Sequence, residues 1–256
     1  MKALLPKYLP AIELLFDLYI VDSVDHFELS CELASGEMKN VIIDSCKAKE
    51  ARIKLNDDAI KKDDSVPLYR RYPQKAYWYV YVEECKTVYF KYNACREMEE
   101  LNLNEFCKQL LEVISAKEAR KLVIDLRNNK GGNSTLLDDF IEEISRNAAI
   151  NKTGSLFVIV GRDTFSSALL NAYSFKENTK AIIVGEPTGG KPNCYGEVEK
   201  LYLKNSGIVI NYSTKYYKIV EDDSEMALMP DVLCESTIYS YMENVDPCME
   251  YIKSHY

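Results

Sequence analysis

Three continuous apolar runs constrain this chain most: Lys121-Leu-Val-Ile-Asp-Leu126, Ser155-Leu-Phe-Val-Ile-Val160 and Ala181-Ile-Ile-Val184. Such runs, without polar alternation, suit strands covered on both faces. Between them lie segments of helical period. Over 135–147, Leu136, Leu137, Phe140, Ile141 and Ile144 share one side, and a second helix is expected over 166–176. Strand–helix–strand at this spacing predicts parallel strands joined by right-handed crossovers. The turns that follow the strands then fall at the carboxyl edge of the sheet, where sites in α/β folds gather.

The flanks extend the pattern. Ala76-Tyr-Trp-Tyr-Val-Tyr-Val82 and Lys86-Thr-Val-Tyr-Phe-Lys-Tyr92 read as paired strands, rich in aromatic and β-branched residues. A helix is expected over 103–115, with Asn104 as its cap and Phe106, Leu110, Leu111 and Ile114 on one face. Residues 199–219 return to β character, and Asp246-Pro247 signals a last helix. Residues 1–20 read as an amphipathic helix rather than a signal peptide, because Glu13 and Asp17 interrupt the apolar stretch. Two strands, 27–33 and 41–44, follow around a turn at Ala34-Ser-Gly-Glu37. The polar run 56–65 reads as a linker. The expected division is therefore a small N-terminal α+β region, 1–65, and an α/β core, 66–256.

Charge and cysteine content exclude several functions. The chain of 256 residues is 47% hydrophobic with net charge −8, which suits neither nucleic acid nor an anionic membrane as partner. Its eight cysteines are scattered with no CxxC pair, and only His26 and His255 could complete a zinc site. Reduced thiols, no metal and, with no export signal, a cytoplasmic setting are the expectation.

Each strand-end turn carries chemistry. Asp125-Leu-Arg-Asn-Asn-Lys-Gly-Gly132 places two glycines before a helix, so backbone N–H groups could face an anion. Thr164-Phe-Ser-Ser-Ala168 sets two serines where a strand meets a helix; they could serve as a nucleophile or merely as caps. Gly185-Glu-Pro-Thr-Gly-Gly-Lys191 mimics a phosphate-binding loop, but Pro192 stands where the magnesium-binding hydroxyl belongs. Lys191, among glycines and apolar strand ends, could instead be a desolvated base or a plain solvated lysine. A Ser–His triad is poorly served: His255 lies one residue from the terminus, and His26 falls in a strand run and reads as structural.

Taken in order, Leu122-Val-Ile-Asp-Leu-Arg-Asn-Asn-Lys-Gly-Gly132, Thr164-Phe-Ser-Ser-Ala168, Val184-Gly-Glu-Pro-Thr-Gly-Gly-Lys191 and Pro230-Asp231 resemble the tail-specific (C-terminal processing) serine peptidases and their tricorn-like relatives. The resemblance covers roughly residues 75–253. It implies the spiral α/β core shared with Clp protease and the crotonases. Ser167 matches the nucleophile, with Ser166 the lesser candidate. Lys191 matches the general base, and Gly131 or Gly132 with the N–H of Ala168 would form the oxyanion hole. In the tricorn-like branch the base is an upstream histidine supported by an acidic residue, for which Glu225 is the nearest candidate.

Some features depart from the family. Lys130 replaces a small residue or proline, Ser166 alters the usual Ser-Ala run, and residues 1–65 show no clear PDZ domain. The chain is expected to begin partway through the family's architecture, without the histidine-bearing segment. The resulting expectation is a serine endopeptidase acting on peptides or unfolded proteins, with no cofactor. The alternatives are a crotonase-like acyl-CoA enzyme, and an incomplete core that binds peptides.

Overall fold

The structure is a computed structural model that describes residues 11–33, 35–46 and 66–255. The chain divides into two compact units, residues 1–63 and 64–256. In the first, a short helix α1 (Ile12–Asp17) precedes an antiparallel hairpin of β1 (His26–Glu32) and β2 (Met38–Asp44). Its register runs from His26 opposite Asp44 to Glu32 opposite Met38. The second strand starts earlier than its apolar residues suggest, because the ladder continues to the turn. Residues 1–10 of the expected helix and the linker expected at 56–65 lie outside the described residues.

The second unit is built on a six-stranded sheet. Its strands are β3 (Tyr77–Val82), β4 (Thr87–Tyr92), β5 (Lys121–Asp125), β6 (Leu156–Val160), β7 (Ile182–Gly185) and β10 (Val232–Leu233). The spatial order is β10-β7-β6-β5-β4-β3. Only β3 runs antiparallel to its neighbour; β4 through β7 and β10 are mutually parallel. The fold is thus mixed α/β with a parallel-rich sheet.

The apolar runs are continuous because both faces are covered. Val88, Phe90, Leu122, Ile124, Val158 and Ile183 pack against helices α2 (Leu103–Ala116), α3 (Asp138–Arg146) and α4 (Ser167–Asn178). Tyr89, Val123, Phe157, Ile159 and Val184 face Cys248, Met249 and Ile252 of the last helix, α6 (Pro247–Ser254). Burying a side chain of this size contributes roughly 1.5–3 kcal/mol, so the two faces together hold the strands whose ends form the site.

Local geometry shifts several expected boundaries. Asn102, not Asn104, caps α2: it is extended, and its side chain accepts the Glu105 N–H. The helix expected over 135–147 opens as a 3₁₀ turn (Ser134–Leu137), because the Asn133 side chain binds Thr135 and tightens the entry. The β region near 199–219 is a ribbon of β8 (Cys194–Tyr202) and β9 (Val209–Tyr217) that pairs with no other strand among the described residues. A short helix α5 (Ile238–Met242) was not signalled by apolar period; Thr237 and Ser240 create it by reciprocal capping. Asp246 caps α6 as expected, accepting the Cys248 and Met249 N–H groups. All eight cysteines are free thiols.

Candidate active site

Three turns converge beyond the carboxyl ends of β5, β6 and β7. Residues 126–133 follow β5, residues 161–166 follow β6 and residues 186–191 follow β7. Thr164 joins the first two: its buried hydroxyl donates to the Leu126 carbonyl at 2.9 Å and accepts the Gly161 N–H at 3.0 Å. Asn129 is fully buried and joins more. Its amide donates to the Tyr92 carbonyl at 3.0 Å, its oxygen accepts the Gly131 N–H at 2.9 Å, and its carbonyl accepts the Phe165 N–H at 3.1 Å. Cys95 packs beside it and donates to the Asn129 side-chain oxygen at 3.6 Å. Burial lifts that thiol to about 11, so Cys95 is a structural thiol rather than a nucleophile.

Glycine is required where the turns touch. Gly131 has φ +103°, and a methyl group there would lie 2.8 Å from Ser166 Cβ and 3.0 Å from the Ser167 nitrogen. At Gly132 it would lie 2.2 Å from the Cys95 carbonyl oxygen. Cys95 and Gly132 pair as a one-residue parallel bridge, with the Asn133 N–H donating to the Cys95 carbonyl at 2.7 Å. The third turn closes in through Gly190, where an added methyl would meet Phe165 and Leu169 at 3.0 and 3.1 Å.

The two serines differ sharply. Ser166 is exposed and sits at φ +52°, ψ −127°, a region costly for a residue with a β-carbon. Ser167 is buried as the first residue of α4, and its hydroxyl donates to the Gly132 carbonyl at 2.6 Å. The Ala168 N–H donates to the Phe165 carbonyl at 3.2 Å. The N–H groups of Ser167 and Gly132 have no acceptor among the described residues, whereas that of Gly131 is held by Asn129.

The other expected residues are spread around this centre. Lys191 is about one-third exposed and pairs with Asp223 at 3.8 Å; it makes no hydrogen bond to either serine. Glu225 accepts the Tyr173 hydroxyl at 3.2 Å, two turns along α4 from Ser166. Burial, reinforced by Glu225, raises that phenol. His255 stacks on Tyr251, and its carbonyl accepts from Lys121 at the opposite end of β5. His26 belongs to the first unit. Among the described residues, no cluster of three or more His, Cys, Asp or Glu side chains could hold a metal, and no helix is long and apolar enough to cross a membrane.

Beneath the glycine turn lies a buried ionic network that the sequence pattern did not identify. Asp125 accepts from Tyr89 at 2.5 Å, from Lys91 at 3.0 Å and from the Arg127 N–H at 3.0 Å. The Arg127 guanidinium grips Asp246 through two bonds of 2.9 Å. Burial alone would raise the Asp125 carboxyl, but Arg127 and Lys91 bring it down to about 2. Burial lowers Lys91 to about 8 despite its carboxylate partner. A Lys in β4 directly opposite an Asp in β5 was the available signal. For Asn129 the signal was an asparagine two residues before the first of two glycines.

This set of turns on a parallel-rich sheet defines a class. Residues 86–154 and 138–233, more than half of the chain, match the model of peptidase family S41. The chain belongs to this family of serine-type peptidases. It is 25% identical over 158 residues to a carboxyl-terminal-processing protease of Synechocystis, a match covering 54% of this chain and 36% of that protein. The chain thus aligns with about a third of that relative's length. Among solved structures, a candidate peptidase from Parabacteroides merdae superposes with TM-score 0.52 at 14% identity, over 77% of this chain and 67% of the other. Mature CPAF gives TM-score 0.50 at 13% identity, over 88% and 65%. Both likenesses concern the fold.

Proposed function

We propose that this chain carries the catalytic core of a serine endopeptidase, and that its nucleophile is Ser166 rather than Ser167. The observation that carries this reading is the strained, exposed backbone of Ser166 between β6 and α4. A positive φ at a residue with a β-carbon persists only where surrounding contacts enforce it. Here the Gly131 turn and the Asn129–Phe165 bond do so. A strand-to-helix turn of this kind lifts a serine oxygen away from the backbone, while the N–H of the next residue stays free. Ser167 has neither property, since its oxygen is engaged.

Ser166 Oγ attacks the peptide carbonyl while Lys191 serves as the base that takes the hydroxyl proton. The tetrahedral oxyanion is received by the N–H groups of Ser167 and Gly132. Each such donor is worth roughly 3–4 kcal/mol to the transition state. Lys191 then protonates the leaving amine, and water hydrolyses the ester on Ser166. To act as base, Lys191 must swing from Asp223 toward Ser166; its neighbour Gly190 lies close to Phe165, the residue before Ser166. Substrates are extended or unfolded polypeptides, processed without a cofactor in a cytoplasmic setting. The core is of the spiral type shared with Clp protease and the crotonases.

The test is cleavage of an unfolded protein, beside fluorophosphonate labelling, for the parent chain and for Ser166→Ala, Ser167→Ala and Lys191→Ala. Label on Ser166, and loss of cleavage in Ser166→Ala and Lys191→Ala, are expected. Label on Ser167 would overturn the assignment. A mild effect of Ser166→Ala on a chain active toward acyl thioesters would favour the crotonase-like alternative.

A further inference from the structure

We propose that Cys234 and Cys248 form an oxidisable dithiol, a modification site at which a hydroperoxide joins the two thiols as a disulfide. This inference does not depend on the peptidase reading. Cys234 follows β10, and its N–H donates to the Gly185 carbonyl at 2.9 Å, fixing it to the sheet. Cys248 is the second residue of α6, and its N–H donates to Asp246 at 3.1 Å. The Cys248 thiol reaches the Cys234 carbonyl oxygen at 3.9 Å, and the Cys234 side chain packs against the apolar cluster that contains Cys248. Among the described residues, no other thiol hydrogen bond runs from one cysteine to another.

The two sulfurs are unequal in the way a peroxide-sensing pair requires. Cys234 is half-buried at the rim, whereas Cys248 is 4% exposed within the core beside Met249 and Ile252. The hydrogen bond from Cys248 lowers the Cys234 thiol against the opposing effect of burial. The same bond and burial raise Cys248. The outer sulfur therefore has the larger thiolate share and meets the oxidant first. Cys234 thiolate attacks the peroxide O–O bond, giving the sulfenic acid and releasing hydroxide. The Cys248 sulfur then attacks the sulfenic sulfur, the S–S bond forms, and the oxygen leaves as water. Overall, two thiols and one hydrogen peroxide give one disulfide and two waters.

The cross-link would close residues 235–247 into a loop that contains α5 and Asp246, the partner of Arg127. Treating the purified chain with hydrogen peroxide, blocking with iodoacetamide and mapping the digest by mass spectrometry tests this directly. Expected is one linked peptide pair carrying Cys234 and Cys248, lighter by two hydrogens than the reduced peptides and separated by dithiothreitol. Its formation should raise Tm by about 5 °C or more. In Cys248→Ala the sulfenic acid on Cys234 should persist and take up dimedone. Cys234 carried to the sulfinic acid without a link, or both thiols still open to alkylation after peroxide, would overturn the proposal. The mapping on the parent chain decides it even if a variant fails to fold.

Discussion

The Ser166 turn and the Lys191 loop both follow strands of one sheet, yet they are held very differently. Around Ser166, Asn129, Thr164, Gly131 and the Ser167 hydroxyl tie three segments together through buried and part-buried bonds of 2.6–3.0 Å. Around Lys191 the cation's one ion pair is a 3.8 Å contact with Asp223, whose side chain is 68% exposed. Solvated pairs of this kind contribute little. One part of the site is built to hold a backbone that would otherwise relax; the other leaves a long side chain free to choose its partner. On the proposed assignment, Ser166 and the free N–H groups of Ser167 and Gly132 would be held in place before substrate arrives, while Lys191 would still have to be drawn in.

Substitutions that strike the rigid half should have the largest effects. Ser166→Ala should lower turnover by at least about 10³-fold. Ser166→Gly should be equally inactive yet more stable by about 1 kcal/mol, because glycine adopts φ +52° without strain. If Ser166→Gly leaves the denaturant midpoint unchanged, the turn is not strained and the contrast fails. Gly132→Ala should destabilise by about 3 kcal/mol, since its methyl would collide with backbone at 2.2 Å. Gly131→Ala meets atoms at 2.8–3.1 Å, so it should cost less stability but displace Ser166 and lower kcat. Asn129→Ala should cost about 2–3 kcal/mol, because it strands the Tyr92 carbonyl and the Gly131 N–H. Urea unfolding and steady-state kinetics read all three.

The network under the rigid turn gives a pH test. The Asp125 carboxyl is depressed in the folded protein, so its contribution is fully present above the unfolded value near 4 and is lost as pH falls toward 2. That amounts to about 2 kcal/mol between the two limits, measurable as a falling urea midpoint that Asp125→Asn should flatten. Lys91 is also depressed, to about 8. Stability should therefore rise as pH climbs from about 8 toward its unfolded value near 10.4, because the unfolded chain holds the extra proton. The smallest effect belongs to the loose half: Asp223→Ala should leave Tm unaltered and turnover within about two-fold. A large loss there would show that Asp223 orients the base, and the two halves would be less different than they look.

Much of this was legible in the chain. Apolar runs without alternation marked the buried parallel strands, and Asp246-Pro247 marked the last helix, because strand burial and capping are local properties. The three turns at one sheet edge also followed from strand order. The harder distinction was between adjacent serines. Ser166 and Ser167 are chemically identical in sequence, and a pattern of residue types cannot tell which one the helix start will bury. That depends on Gly131 pressing on Ser166 and on the Gly132 carbonyl taking up the Ser167 hydroxyl, contacts made across more than thirty residues. Likewise, Asn129 becomes a hub, and Lys91, Asp125, Arg127 and Asp246 a network, only when strands and the last helix pack. The sequence by itself determined five of the six segments of the sheet, all but the two-residue β10, and which turns carry the serines, the lysine and the paired glycines, since period and capping act over a few residues. The tertiary structure alone decided which serine is presented, which amides stay free and which charges are buried, because backbone strain, desolvation and hydrogen-bond partners are set by neighbours distant in the chain.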